Sequence, residues 1–228
     1  MAGQPKARYE QDEPDRWALY EGYQLIAGVD EVGRGAMAGP LVAAAVILTP
    51  DVQLTLVNDS KLLTPEARDE AYEEIRGRAL AWATGVVEAD MVDRLNVWGA
   101  TCLAMRRALD ALSVTPEFVL VDGLEPRGMT LPHMAFVGGD ACSQRMGAAS
   151  IMAKVTRDRA MERLSTLYPG YALHSNKGYA TPEHKAAVRR LGPCALHRRR
   201  YWFITDMRSD HLPFDAEELR RVSHYGGD

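Results

Sequence analysis

Asp30, Asp122 and Asp140 each follow an apolar run, and each has a glycine within two residues. Aspartates that end neighbouring strands on one side of a sheet would bring their carboxylates together. Clustered carboxylates repel one another unless a cation neutralises them. Oxygen-only ligands suit Mg²⁺ or Mn²⁺, which keep several waters and take the rest from carboxylates and substrate phosphate. Two such ions roughly 4 Å apart can activate a water and stabilise the leaving oxygen of an in-line phosphodiester displacement. Aspartate at a strand end is also ordinary turn chemistry, and that alternative stays open at this point.

The first of these acids opens a denser motif. Residues 26–35 read I-A-G-V-D-E-V-G-R-G, so Asp30 and Glu31 are adjacent and a Gly-Arg-Gly turn follows. Such a turn offers unhindered backbone N–H groups and one fixed guanidinium, a combination suited to phosphate or sugar. Gly33, Gly35 and Ala38 also match the spacing of a dinucleotide fingerprint. Three features weigh against that reading. The two acids would sit close to a bound pyrophosphate, Gly39-Pro40 leads into a β-like A-V-I-L rather than a helix, and no second acid-ended strand stands at the expected offset.

The elements that must carry these residues follow from pattern. Residues 23–29 and 41–48 read as strands, the first ending at Asp30. Thr64 followed by Pro65 caps a helix over 65–78. Residues 79–87 read as a strand and 90–112 as helical, with Val97, Thr101, Met105, Ala108 and Leu112 on one face. Residues 117–121 and 133–137 are further short strands. A long helix over about 141–164 is expected next, and Thr181-Pro182 starts another. The sum is an α/β domain around one mixed central sheet flanked by helices. Residues 1–22 are expected to form a loose polar extension, 23–206 the domain, and 207–228 a flexible tail.

Bulk composition removes other classes. The 228 residues are 46% hydrophobic and 25% charged, ordinary for a globular chain. The longest apolar stretch, 41–48, is too short to span a bilayer, and the first residues carry no apolar leader core. A cytoplasmic chain without membrane attachment, and a monomer, are the expectations. Three cysteines without C-x-x-C spacing argue against a disulfide framework or a zinc ribbon. Net charge is −4, yet residues 145–200 hold twelve Lys/Arg against three Asp/Glu, a local +9 that leaves −13 elsewhere. A basic third on an acidic chain is a footprint for a polyanion, or a set of solvated helix faces.

Seven blocks, in order, carry a resemblance: G-V-D-E-V-G-R-G-A-M-A-G-P (28–40), N-D-S-K-L-L (58–63), V-L-V-D-G (119–123), G-D (139–140), A-A-S-I-M-A-K-V-T-R-D (148–158), N-K-G-Y-A-T-P-E-H (176–184) and G-P-C-A-L-H-R-R (192–199). Together they resemble ribonuclease HII, the type 2 ribonuclease H family. The resemblance implies a ribonuclease H-like α/β fold with a helical C-terminal part. It implies Mg²⁺- or Mn²⁺-dependent endonucleolytic hydrolysis of RNA in RNA–DNA hybrids. Nicking 5′ of ribonucleotides embedded in duplex DNA, leaving a 5′-phosphate and a 3′-hydroxyl, is implied as well.

The family's four catalytic, metal-holding acids map onto Asp30, Glu31, Asp122 and Asp140. Its Gly-Arg-Gly element maps onto Gly33, Arg34 and Gly35 and is implied to read the ribose 2′-OH. Tyr179 of the K-G-Y block is implied to stack on the following deoxyribose. Ser60, Lys61 and Lys154 are expected phosphate contacts. Ala148, Ala149 and Ser150 are expected to serve packing, and Asp158 to hold Arg157 or cap locally rather than bind metal. Two stretches depart from the family pattern, A-C-S-Q-R-M-G (141–147) and H-R-R-R-Y-W (197–202). Two alternatives remain beside this reading: another nuclease or strand-transfer enzyme of the same fold, and a non-catalytic hybrid-binding protein.

Overall fold

The computed structural model describes residues 9–55, 57 and 63–207. The first strand, β1 (Ile26–Val32), pairs antiparallel with β2 (Leu41–Ile47), and β2 pairs antiparallel with β3 (Ala81–Val87). On its other side β1 pairs in parallel with β4 (Phe118–Asp122), and β4 in parallel with β5 (His133–Phe136). The order β3-β2-β1-β4-β5 is the expected mixed sheet, with β1 at its centre.

Strand alternation assigns the faces. Ala27 and Val29 of β1 join Ala43, Ala45 and Val121 under α3 (Ala89–Asp110). Gly28 and Asp30 face the other way, toward α4 (Gln144–Leu167). Gly28 is required there, because a Cβ would overlap the backbone of Arg145 and Met146. That close approach lets α4 lie directly on the strand bearing the first acid. Helix α2 (Pro65–Arg78) packs beside α4 on the same face.

Caps define the helices where the sequence signals them. Thr64 and Thr181 accept from the Ala67 and His184 N–H groups at 3.2 Å each. They open α2 and, after the short α5 (Leu173–Asn176), α6 (Pro182–Leu191). With α7 (Trp202–Met207) these form the expected helical C-terminal part around its own core of Met37, Met161, Val188, Phe203 and Ile204.

Several expectations shift. The first strand starts at Ile26, not residue 23, because the Tyr23 ring stacks on Phe118 instead, centroids 4.6 Å apart. It also runs past Asp30, since the ladder to β2 continues to Val32. The long helix begins at Gln144, because Ser143 is its cap and 139–141 form a 3-10 turn. Helix α3 is kinked at Asn96, whose φ of 61° is left-handed. The Asn96 Oδ1 accepts from Trp98 and Gly99 N–H, capping the second half. The kink turns Val97 out to solvent, while Thr101, Met105 and Ala108 stay buried.

The largest departure is at the N-terminus. Residues 13–20 are not a loose extension but a helix, α1 (Glu13–Tyr20), with Pro14 in its first turn and Glu13 and Asp15 near its N-terminal end. Ala18 and Trp17 pack against Phe118, Phe136 and Met146, so α1 shares a core cluster with the sheet. The expected tail, apart from Met207, lies outside the described residues.

Candidate metal and nucleic-acid site

Asp30 lies two residues before the end of β1, Asp122 ends β4, and Asp140 sits in the 3-10 turn Gly139–Ala141 (η1). Adjacent parallel strands thus place the first two side by side, and the turn after β5 brings in the third. One carboxylate oxygen from each lies within 4.8 Å of the other two. Glu31 stands outside that tight set, with Oε1 at 3.2 Å from Arg34 Nη1. All four acids line a cleft of about 430 Å³ together with Arg68, Ser150 and Lys154.

The cluster is electrostatically loaded. Burial, and then the neighbouring charges of Asp122 and Glu31, push the Asp30 carboxyl well above the usual carboxylate range. The Ser150 hydroxyl and the Glu31 N–H, 2.6 Å from Asp30 Oδ1, work in the opposite direction. Burial also raises Glu31, against the pull of Arg34. Asp122 Oδ1 accepts from Gly139 N–H at 2.6 Å and Asp140 N–H at 3.4 Å, which ties η1 to the end of β4. Three converging carboxylates, with Asp30 pushed up by its burial and by its neighbours' charge, form a donor set of hard oxygens, which fits Mg²⁺ or Mn²⁺.

The Gly-Arg-Gly turn connects β1 to β2, so no helix follows it and the dinucleotide fingerprint lacks its context. Gly33 has φ +93°, and a Cβ there would overlap Arg157 Nε. Arg34 and Gly35 are exposed, with Arg34 leaning over the Trp98 ring at 5.9 Å. Two buried arginines hold this turn from behind. Arg157 donates to Pro40 O (2.9 Å), Ala38 O (3.2 Å) and Lys177 O (2.8 Å). Arg198 donates to Arg34 O (3.0 Å) and to Gly39 O. Met37 and Ala38 N–H both donate to Gly178 O, joining the turn to the K-G-Y block.

Tyr179 is half-buried at that junction, its ring centroid 5.1 Å from Arg157 Cζ and 5.8 Å from Lys154 Nζ. Beneath it lies a buried histidine pair. Cys194 N–H donates to His197 Nδ1 (3.0 Å), the two Nε2 atoms of His197 and His184 are 3.2 Å apart, and His184 Nδ1 meets Tyr179 O at 2.9 Å. One proton per ring satisfies every link, so both rings fit as neutral. Burial, and for His197 the neighbouring His184, lower both, His197 to about 3.

Two expectations about side chains are corrected. Ser150 is not only a packing residue, since its hydroxyl bonds Asp30 and lines the cleft, whereas Ala148 and Ala149 are core. Asp158 pairs with Lys154 at 2.9 Å, and backbone carbonyls, not Asp158, take the N–H bonds of Arg157. Ser60 and Lys61 lie outside the described residues. Arg68, which also donates to Leu63 O at 2.9 Å, was not singled out from sequence, where it reads as one more helix-surface arginine.

The family model for ribonuclease HII matches residues 27–205, spanning these elements except α1, the first residue of β1 and the last two of α7. This chain belongs to the ribonuclease HII family. It is 50% identical over 181 residues to ribonuclease HII of Moorella thermoacetica, covering 79% of this chain and 88% of that one. To ribonuclease HII of Geobacter sp. strain M21 it is 47% identical over 196 residues, covering 86% and 84%. Among solved structures, ribonuclease H2 from Pyrococcus horikoshii OT3 superposes with a TM-score of 0.70 at 26% identity, covering 81% of this chain and 97% of that one. The Archaeoglobus fulgidus ribonuclease HII solved in complex with PCNA gives 0.65 at 27%, covering 78% and 95%. The fold is ribonuclease H-like, and the ribonuclease HII chain is an endonuclease of that type. Among the described residues no helix is long and apolar enough to cross a membrane.

Proposed function

We propose that this ribonuclease HII hydrolyses the RNA strand of RNA–DNA hybrids and nicks 5′ of single ribonucleotides embedded in duplex DNA. The observation that carries the reading is the convergence of Asp30, Asp122 and Asp140 within 4.8 Å, next to a Gly-Arg-Gly turn bonded to the loop of Tyr179. Asp30, Glu31, Asp122 and Asp140 would hold Mg²⁺ or Mn²⁺. Two such ions would supply a nucleophilic water and charge neutralisation at the phosphate.

The remaining residues bind and orient. Gly33, Arg34 and Gly35 present backbone and guanidinium donors at an exposed turn, where a ribose 2′-OH marks RNA. Arg34 is held between Glu31 and Trp98, so its fork is pre-set toward the cleft. Tyr179 offers a ring face to the next sugar, which would test for an RNA-to-DNA junction. Lys154 meets phosphate from within the cleft, and Ser60 and Lys61 are assigned the same task from sequence. Water oxygen bonds to phosphorus as the P–O3′ bond breaks, leaving a 5′-phosphate and a 3′-hydroxyl. The chain would act as a monomer, free of membrane.

Duplex DNA holding one ribonucleotide, incubated with Mg²⁺, Mn²⁺ or EDTA, tests this. A nick 5′ to the ribonucleotide, abolished by EDTA, is the expected result, and no nicking with either metal would refute it.

A further inference from the structure

Helix α1 reaches the acid-bearing turn from outside the sheet. The Asp12 N–H donates to Cys142 O at 2.9 Å, one residue past η1. Asp15, 4% exposed, accepts from Arg145 Nη1 at 2.8 Å, and Arg145 itself is 5% exposed. The Arg145 Nη2 donates to Leu48 O at 2.8 Å, so the guanidinium bridges α1 and the end of β2. Between these anchors, Ser143 N–H and Cys142 N–H both donate to Gly139 O, and Gly139 N–H donates to Asp122 Oδ1. The stretch 139–145 is therefore fixed at one end by Asp122 and at the other by α1. Asp140 sits inside it.

A buried guanidinium without its carboxylate is strongly unfavourable, because its charge is left without a partner. Arg145 cannot shift as a whole toward water, because its backbone is pressed against Gly28 of β1. Losing Asp15 would strain the first turn of α4 and, through residues 139–143, the placement of Asp140. Other contacts of α1 reinforce the dock: Tyr9 meets Phe136 edge-on at 5.1 Å, and Trp17 meets Phe118 at 5.4 Å.

We propose that α1 is a latch for the metal site, with Asp15 and its partner Arg145 acting as positioning residues for Asp140. The proposal rests on the reading of Asp140 as a metal ligand. Residues that orient a ligand without touching the ion typically change metal affinity about 10–100-fold when removed. The latch belongs to the catalytic unit although the family match begins at residue 27.

Mn²⁺ binding to the full chain without nucleic acid, measured by titration calorimetry well below Tm, tests it. Asp15→Ala is expected to weaken Mn²⁺ about tenfold or more. Asp15→Asn, which keeps an acceptor for Arg145 Nη1, is expected to recover most of the affinity. Tyr171→Phe, which removes a buried bond to Gly192 O in the C-terminal core, should lower Tm and leave Mn²⁺ affinity unchanged. If Asp15→Ala fails to fold, Asp15→Ala combined with Arg145→Met removes both charges and is read the same way. Wild-type affinity in the Asp15→Ala chain, or an equal loss in Tyr171→Phe, would overturn the latch. Unchanged Mn²⁺ binding in Asp140→Asn would instead overturn the metal-ligand reading itself.

Discussion

Arg157 lies under the ring of Tyr179 with its guanidinium carbon 5.1 Å from the ring centroid, and its N–H groups end on the backbone carbonyls of Ala38, Pro40 and Lys177. One fully buried cation thus sets the spacing between the proposed ribose reader and the proposed sugar platform. Arg157→Lys keeps the charge but cannot bond three carbonyls in one plane. Stability should fall by about 1–3 kcal/mol, and nicking of a single-ribonucleotide duplex should fall with it at temperatures where the chain stays folded. Denaturant melts paired with initial rates check both.

Tyr179→Ala separates the platform from the chemistry. The acids and their bonds do not involve the phenol ring, so hydrolysis of long hybrids should persist. Activity on single embedded ribonucleotides should drop more, by about tenfold for a lost stacking contact worth roughly 1–3 kcal/mol. The ratio of kcat/KM on the two substrates is the measurement, and an unchanged ratio removes the junction-reading role.

Asp122→Asn retains an Oδ1 that can accept from Gly139 N–H, so η1 should stay in place. It removes a charge from the centre of the cluster. Turnover should fall more than about 100-fold, equivalent to roughly 2.7 kcal/mol, with an unaltered circular-dichroism spectrum. Near-native turnover would take Asp122 out of the metal site.

The burial and the neighbouring charges that raise Asp30 are a cost to the metal-free fold. Asp30→Asn, measured in EDTA, should therefore raise stability by roughly 0.5–2 kcal/mol while abolishing activity. Wild-type protein should show the complementary effect. Saturating Mn²⁺ at about 100 times its Kd should stabilise it by about 2.7 kcal/mol, and Asp30→Asn much less. Thermal melts with and without Mn²⁺ decide.

His197 gives a pH dependence of defined sign. Its folded value near 3 lies below the unfolded value of about 6.5. The unfolded chain therefore binds the extra proton first. Stability is complete above about pH 6.5 and is lost as pH falls toward 3. From pH 7 to 5 the loss should be about 2 kcal/mol, seen as a lower denaturation midpoint. His197→Gln, with no proton to gain in that window, should flatten the profile.

The convergence of Asp30, Asp122 and Asp140 was legible because each follows an apolar run, and runs of that kind become adjacent strands. The cap of α2 was legible because Thr-Pro has a local mechanism. Ser150 was not, because a small residue on a helix looks the same whether it packs or donates to Asp30. The partners of Arg157 were hidden for a related reason: carbonyl oxygens belong to every residue, so no side-chain pattern announces them. Helix α1 escaped notice because its polar, proline-bearing sequence holds only a few apolar residues, and its anchor, Asp15 to Arg145, spans 130 positions.

The buried arginines have a consequence for binding in salt. Each phosphate neutralised by a protein cation releases condensed counterions, steepening the fall of log affinity with log salt by about 0.9. Arg145, Arg157 and Arg198 are at most 5% exposed, and each is spent on carbonyls or on Asp15. None of the three can displace a counterion from a duplex. A quarter of the basic residues between 145 and 200 thus add nothing to that slope, and the grip on nucleic acid should weaken with ionic strength more gently than their number suggests.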